Sequence, residues 1–209
     1  MNESLIPYLK TRLQQPLPGR DAQWEMSSRG PARDWQPRED HRKGGVLALM
    51  YPHQEVLHMV FMKRTDDGKV HGGQVSFAGG KMEQSDRNVQ MTALREAEEE
   101  LGIPQTEVEI LGQLSPLYIA PSNFLVYPQV GFLPYRPEFV PSPMEVAAII
   151  ETELPLLLAP ETRQTVKVKV GQNMTIKTPA FLVNGQIIWG ATAMMLNELL
   201  TVIRGRPGV

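Results

Sequence analysis

The stretch Arg95-Glu96-Ala97-Glu98-Glu99-Glu100-Leu101-Gly102-Ile103 sets four carboxylates in five positions directly after an arginine. On a helix, Glu96, Glu99 and Glu100 fall at i, i+3 and i+4 and share one face. Like charges so placed repel by a few tenths of a kcal/mol per pair and add nothing to folding. A hard divalent cation offsets such a cost, and oxygen-only donors suit magnesium or manganese. The plain alternative is a solvated helix face. Glu98, about 200° round from Glu96, reads as surface charge.

The elements that must position these groups follow from periodicity. A helix from about Val89 to Leu101 ends at Gly102, a suitable C-cap. Leu94, Ala97 and Leu101 form its apolar face, expected roughly opposite the glutamates. Before it lies a glycine-dense loop, His71-Gly72-Gly73-Gln74-Val75-Ser76-Phe77-Ala78-Gly79-Gly80. Upstream, Gly45–Tyr51 and Val56–Lys63 read as a hairpin around Pro52-His53-Gln54-Glu55. Strands are expected at 108–118, 124–133 and 145–151, with a further hairpin of 165–170 and 173–178 around Gly171-Gln172. Leu5, Ile6, Leu9 and Leu13 predict an amphipathic helix over 4–14. A last helix is expected from Ala191 to Ile203, burying Met194, Met195, Leu199 and Leu200. Residues 15–43, with Trp24 and Trp35, read as an irregular arm that packs its tryptophans or as a solvated linker. This mixture without βαβ alternation gives an α+β or mixed α/β sandwich. The expected division is an N-terminal helix and arm over 1–43 and a catalytic domain over 44–209.

Composition narrows the function classes. The chain has 209 residues, 42% hydrophobic and 21% charged, and its net charge of −2 makes no broad electrostatic case for nucleic acid or an anionic membrane. It has no cysteine, so disulfides and thiolate metal sites are excluded. Met1-Asn2-Glu3-Ser4-Leu5 does not read as a signal peptide. No apolar run approaches the ~20 residues of a membrane span, so the expected location is cytoplasmic.

Taken together, Gly79-Gly80 through Gly102-Ile103 resembles the box of the Nudix hydrolases, G-x5-E-x7-R-E-U-x-E-E-x-G-U, where U is a bulky aliphatic. Arg95, Glu96, Glu99, Glu100, Gly102 and Ile103 match it, and Ala97 is smaller than usual. Counted back from Arg95, the expected glutamate falls on Arg87 and the expected glycine on Lys81. One inserted residue restores Gly80 and puts Asp86 at the acidic position. A box one residue longer, with aspartate there, resembles the coenzyme A pyrophosphatase branch. That branch has an upstream signature, approximately L-L-T-x-R-S-x3-R-x3-G-x3-F-P-G-G. Arg64, Gly73, Phe77, Gly79 and Gly80 match it, and Thr65 and Lys69 are conservative stand-ins. Val60, Phe61, Met62 and Ala78 depart from it. Ile188-Trp189-Gly190-Ala191-Thr192 also has the look of the branch.

The resemblance, which covers roughly residues 44–203, implies a Nudix-type α/β/α sandwich with a mixed sheet and a loop-helix-loop catalytic motif. It implies Mg2+ or Mn2+ held by Glu96, Glu99, Glu100 and the Gly79 carbonyl, with Glu145 a candidate from a late loop. Arg95 would pair with a box carboxylate and fix the loop on the helix, and Asp86 would support the loop or that arginine. Arg64, Lys69, Gly73, Phe77 and Gly80 are the candidates for substrate binding. His71 is a weaker candidate base, and Lys167, Lys169 and Lys177 read as a solvated strand face. The expected activity is hydrolysis of a nucleoside-diphosphate-linked small molecule, favoured as coenzyme A or acyl coenzyme A. Alternatives are hydrolysis of ADP-ribose or a nucleotide sugar, and a non-catalytic nucleotide sensor. A homodimer is a further expectation of the resemblance.

Overall fold

A computed structural model describes residues 2–28, 36–66, 72–170 and 174–207. The helices are α1 (Asn2–Arg12), α2 (Arg20–Trp24), α3 (Val89–Leu101), α4 (Leu154–Leu158) and α5 (Gly190–Arg204). The strands are β1 (Arg42–His53), β2 (Val56–Arg64), β3 (Val75–Ser76), β4 (Ala78–Lys81), β5 (Glu109–Gln113), β6 (Leu117–Ile119), β7 (Phe124–Phe132), β8 (Val146–Glu153), β9 (Arg163–Val170), β10 (Met174–Val183) and β11 (Gln186–Trp189).

The eight strands β1–β8 form one sheet with the path β3-β2-β1-β7-β5; β4 pairs with β1, β6 with β7 and β8 with β2. Only β1 and β7 run parallel, so the sheet is mixed. Strands covered on both faces read as continuous apolar runs, and β1 shows the division. Leu47, Leu49 and Tyr51 face α3, whereas Ala48 and Met50 join the opposite core with Leu5 and Leu9 of α1 and Leu196, Leu199 and Leu200 of α5. Helical layers on both sides make the α/β/α sandwich.

α3 begins and ends where its signals lie. The Asn88 side chain accepts from the Met91 N–H at 2.9 Å, an N-cap bond. Gly102 closes the helix at φ +73° and donates to the Glu98 carbonyl. The hairpin of β1 and β2 turns on Gln54 and Glu55, both at positive φ.

Several expectations need correction. Segment 20–24 is helical, and Met26 behind it is fully buried, so this part of the arm belongs to the core. Strand 108–118 is broken into β5 and β6 because Pro116 lacks a ladder donor and the Ser115 N–H turns inward to Glu198 at 3.2 Å. The second hairpin is longer than expected and continues through Asn184-Gly185 into β11, forming a separate sheet of three strands. Trp35 and the Gly171-Gln172 turn lie outside the described residues.

Candidate active site

The acidic helix lies unusually close to the sheet. A Cβ on Gly45 would overlap the Val89 carbonyl at the start of α3, and one on Gly80 would overlap the Glu96 carboxylate. Gly80 therefore serves as a cradle: the Glu96 carboxylate rests on its backbone. Glycine pairs interrupting two adjacent strands are the sequence signal for such an approach. Gly80→Ala must push that carboxylate aside by about an ångström, which typically costs on the order of a hundredfold in turnover. Steady-state assays beside a thermal melt would separate this loss from general unfolding.

The loop before α3 is fastened by Arg95. Its Nε and Nη2 donate to both oxygens of Asp86 at 3.0 Å each, and Nη2 also reaches the Lys81 carbonyl at 3.1 Å. Asp86 accepts further from the Glu83 N–H at 2.9 Å and the Thr92 hydroxyl at 3.0 Å. These bonds, Arg95 foremost, hold its carboxyl down at about 2 despite burial. A carboxyl depressed in the folded state stabilises above its unfolded value, near 3.8, and that contribution is lost as pH falls through about 2. Asp86→Asn should flatten the fall in melting temperature between those pH values, measured by acid titration of both proteins.

The remaining charges converge from three elements. Glu100 is only 1% exposed, so it lies on the buried side of α3 beside Ala97 and Leu101, not opposite them. It is received there by the Gly79 N–H at 2.8 Å and by Arg64 Nη1 at 3.4 Å. Burial pushes Glu100 up to about 8; nearby Glu96 and a side-chain hydrogen bond with Glu145 act in the same direction, against Gly79 and Arg64. Glu96 is also raised, first by burial and then by Glu99 and Glu145, although Arg95 opposes. Glu99 is exposed and bonded to Arg95 at 2.9 Å, and the same guanidinium nitrogen lies 3.0 Å from Glu96. Glu98 points away and accepts from Gln105.

Mutually repelling, partly buried carboxylates with no thiol or imidazole among them suit a hard divalent cation. Among the described residues, no three acidic side chains stand together at ligand spacing. Two of the candidates, Glu96 and Glu99, are instead turned onto Arg95. The donor chemistry fits such a cation, and in this arrangement Glu96 and Glu99 are held by the arginine.

Arg64, Gly73, Gly79 and Gly80 border this region, with the Gly73 N–H bonded to the Arg64 carbonyl at 3.2 Å. Phe77 does not line it. Phe77 is buried and stacks on Phe61 with ring centroids 5.0 Å apart, so it anchors the loop from within the core. Lys69 and His71 lie outside the described residues. Sequence reasoning missed the clasp at the end of β7, where Arg136 makes two 2.8 Å bonds to Glu151 and Tyr51 donates to the same carboxylate. Residues so far apart in the chain carry no local signal of their pairing.

Comparison with known proteins agrees with this architecture. Residues 41–142 match the NUDIX domain family. The chain is 33% identical over 171 residues to the uncharacterized Nudix hydrolase NudL of Pectobacterium atrosepticum, covering 82% of this chain and 88% of that one. It is 36% identical over 142 residues to NudL of Photorhabdus laumondii, covering 68% and 74%. Among solved structures, RenU, a Nudix hydrolase from M. smegmatis, superposes with a TM-score of 0.52 at 15% identity, over 88% of this chain and 96% of its own. A MutT/nudix family protein from Enterococcus faecalis gives 0.53 at 12% identity, over 98% and 76%. The two structures speak for the fold, and the NudL relatives carry the assignment: this chain belongs to the Nudix hydrolase family.

Proposed function

We propose that this Nudix pyrophosphohydrolase cleaves coenzyme A and its acyl derivatives at the diphosphate, giving 3′,5′-ADP and 4′-phosphopantetheine or its acyl form. Nudix hydrolases act on pyrophosphate linkages of nucleoside diphosphate derivatives and generally use Mg2+ or Mn2+. The finer reading is supported by the matches to the upstream signature, while its departures keep ADP-ribose or a nucleotide sugar as the alternative. Val60, Phe61, Met62 and Ala78 are all buried at 2% exposure or less. They alter core packing, whereas Arg64, Gly79 and Gly80, which match, meet the carboxylates, and Gly73 bonds the Arg64 backbone.

In this reading Glu96, Glu99, Glu100 and the Gly79 carbonyl hold the metal, with Glu145 contributing from its loop. When bound, the metal polarises phosphoryl oxygens and lowers the pKa of a coordinated water. Arg64, one third exposed beyond its contact with Glu100, offers a guanidinium to substrate phosphate. Lys69 supplies a second cation to the same substrate. Gly73 and Gly80 let the main chain approach the diphosphate. Glu100 or Glu145 takes the proton from the attacking water.

The test is a comparison of kcat/KM for coenzyme A, 3′-dephospho coenzyme A and ADP-ribose. A clear preference for coenzyme A supports the reading, and faster cleavage of ADP-ribose overturns it. A cytoplasmic location and a homodimer belong to the same proposal, tested by fractionation and light scattering. Among the described residues, no helix is long and apolar enough to cross a membrane.

A further inference from the structure

Glu145 stands on the connection from β7 to β8, a segment with prolines at 134, 137, 141 and 143. Proline restricts the backbone of such a strap, and α3 holds its middle. The Val140 N–H donates to the Leu101 carbonyl and the Ser142 N–H to the Glu100 carbonyl, each at 2.9 Å. The Ser142 carbonyl then accepts from the Glu145 and Val146 N–H groups at 3.1 and 2.8 Å.

Thr65 holds the other side of Glu145. The Thr65 N–H donates to the Glu145 carbonyl at 3.0 Å, and the Thr65 hydroxyl donates to the Met144 carbonyl at 3.0 Å. Thr65 follows Arg64, the residue that reaches Glu100, and the pairing of β2 with β8 shifts register between Lys63 and Arg64. Such irregularities re-aim side chains beside active sites. Adjacent residues at the end of one strand thus serve both carboxylates: Arg64 the Glu100 side chain, Thr65 the backbone that carries Glu145.

We infer that Thr65 is a positioning residue that grips consecutive carbonyls of the strap and so holds the Glu145 carboxylate against Glu100. The inference rests on the proposed reading of Glu100 and Glu145 as metal-holding carboxylates. The bond from the hydroxyl to the Met144 carbonyl is exposed to solvent, so Thr65→Val keeps the backbone bond and the β-branched shape while removing one hydrogen bond.

The test is a double-mutant cycle with Glu145→Gln, read by Mn2+ titration followed by electron paramagnetic resonance and, separately, by kcat and KM. Thr65→Val is expected to weaken Mn2+ binding and lower kcat by about three- to tenfold each, with KM little changed and Thr65→Ser close to wild type. In the Glu145→Gln background it should add nothing, because its effect passes through that side chain. An effect that persists in full there overturns the inference, as does Thr65→Val behaviour identical to wild type, or Glu145→Gln leaving both readouts unchanged. Mn2+ binding without cleavage of any diphosphate contradicts the proposed function instead, and the binding cycle still decides the role of Thr65.

Discussion

Glu100→Gln is expected to remove nearly all turnover and yet to make the metal-free protein more resistant to heat. The loss follows from the metal-holding role proposed for Glu100: an uncharged amide cannot replace a carboxylate in that role. The expected fall is roughly a thousandfold, about 4 kcal/mol of transition-state stabilisation. The gain follows from burial. Glu100 is carried from an ordinary value near 4.5 up to about 8. A group raised in the folded state contributes stability that is complete below its unfolded value and is lost as pH rises through the folded one. Without metal, the wild type therefore weakens from pH 4.5 toward pH 8, and the variant, still able to accept from the Gly79 N–H, does not. Melting curves in a chelator should diverge across that range and meet below it. Equal melting at all pH values would mean that the buried charge carries no folding cost. Proteins commonly accept such costs at functional sites.

Glu198→Ala should produce the largest loss of stability. Glu198 is fully buried on α5 and accepts from the Gly19 N–H at 3.2 Å, the Ser115 N–H at 3.2 Å and Gln23 Nε2 at 2.8 Å. Those donors come from two separate segments, so one carboxylate ties the N-terminal arm and the β5–β6 connection to α5. The neighbouring Asn197 Nδ2 adds a 2.7 Å bond to the Ala22 carbonyl. Truncation takes the acceptor from two part-buried backbone N–H groups and from one hydrogen of the buried Gln23 amide, whose Nε2 keeps the Ser115 carbonyl, at a cost of about 3–5 kcal/mol. For a chain of this size that is roughly 10 °C in melting temperature. Limited proteolysis should open the connection between α1 and α2 in the variant first. Glu198→Gln, which keeps the shape and one strong acceptor, should lose less. A melting temperature within a degree or two of wild type for Glu198→Ala would contradict this account of the arm.

How much of this was legible in the chain depended on how local the cause is. The acidic helix was readable to the residue, because its apolar spacing and its C-cap glycine are local signals, although the Asn88 cap at its start was not singled out. The pairing of Asp86 with Arg95 was anticipated only as one of two roles for Asp86, since spacing alone does not choose between supporting the loop and supporting that arginine. The break at Pro116 and the turn at Asn184-Gly185 carried recognisable turn chemistry that the strand pattern obscured. The burial of Glu100 was not legible: its side of the helix looks polar in projection, and only the Gly79 N–H and Arg64 from the facing strands make that burial tolerable. Likewise, nothing near Glu198 in the chain announces three donors from elsewhere. Phe77 shows the reverse error, a motif residue expected in the site whose work is done from the core.

The proposed function requires that the carboxylates of α3 hold a divalent cation needed to hydrolyse a diphosphate. Its most direct test is to incubate the metal-stripped protein with coenzyme A, add Mg2+ or Mn2+ in steps, and separate the products by chromatography. The account predicts no cleavage in chelator and release of 3′,5′-ADP that rises with metal and saturates. Cleavage that proceeds unchanged in chelator, or no cleavage of coenzyme A or any other nucleoside diphosphate derivative at saturating metal, would contradict it.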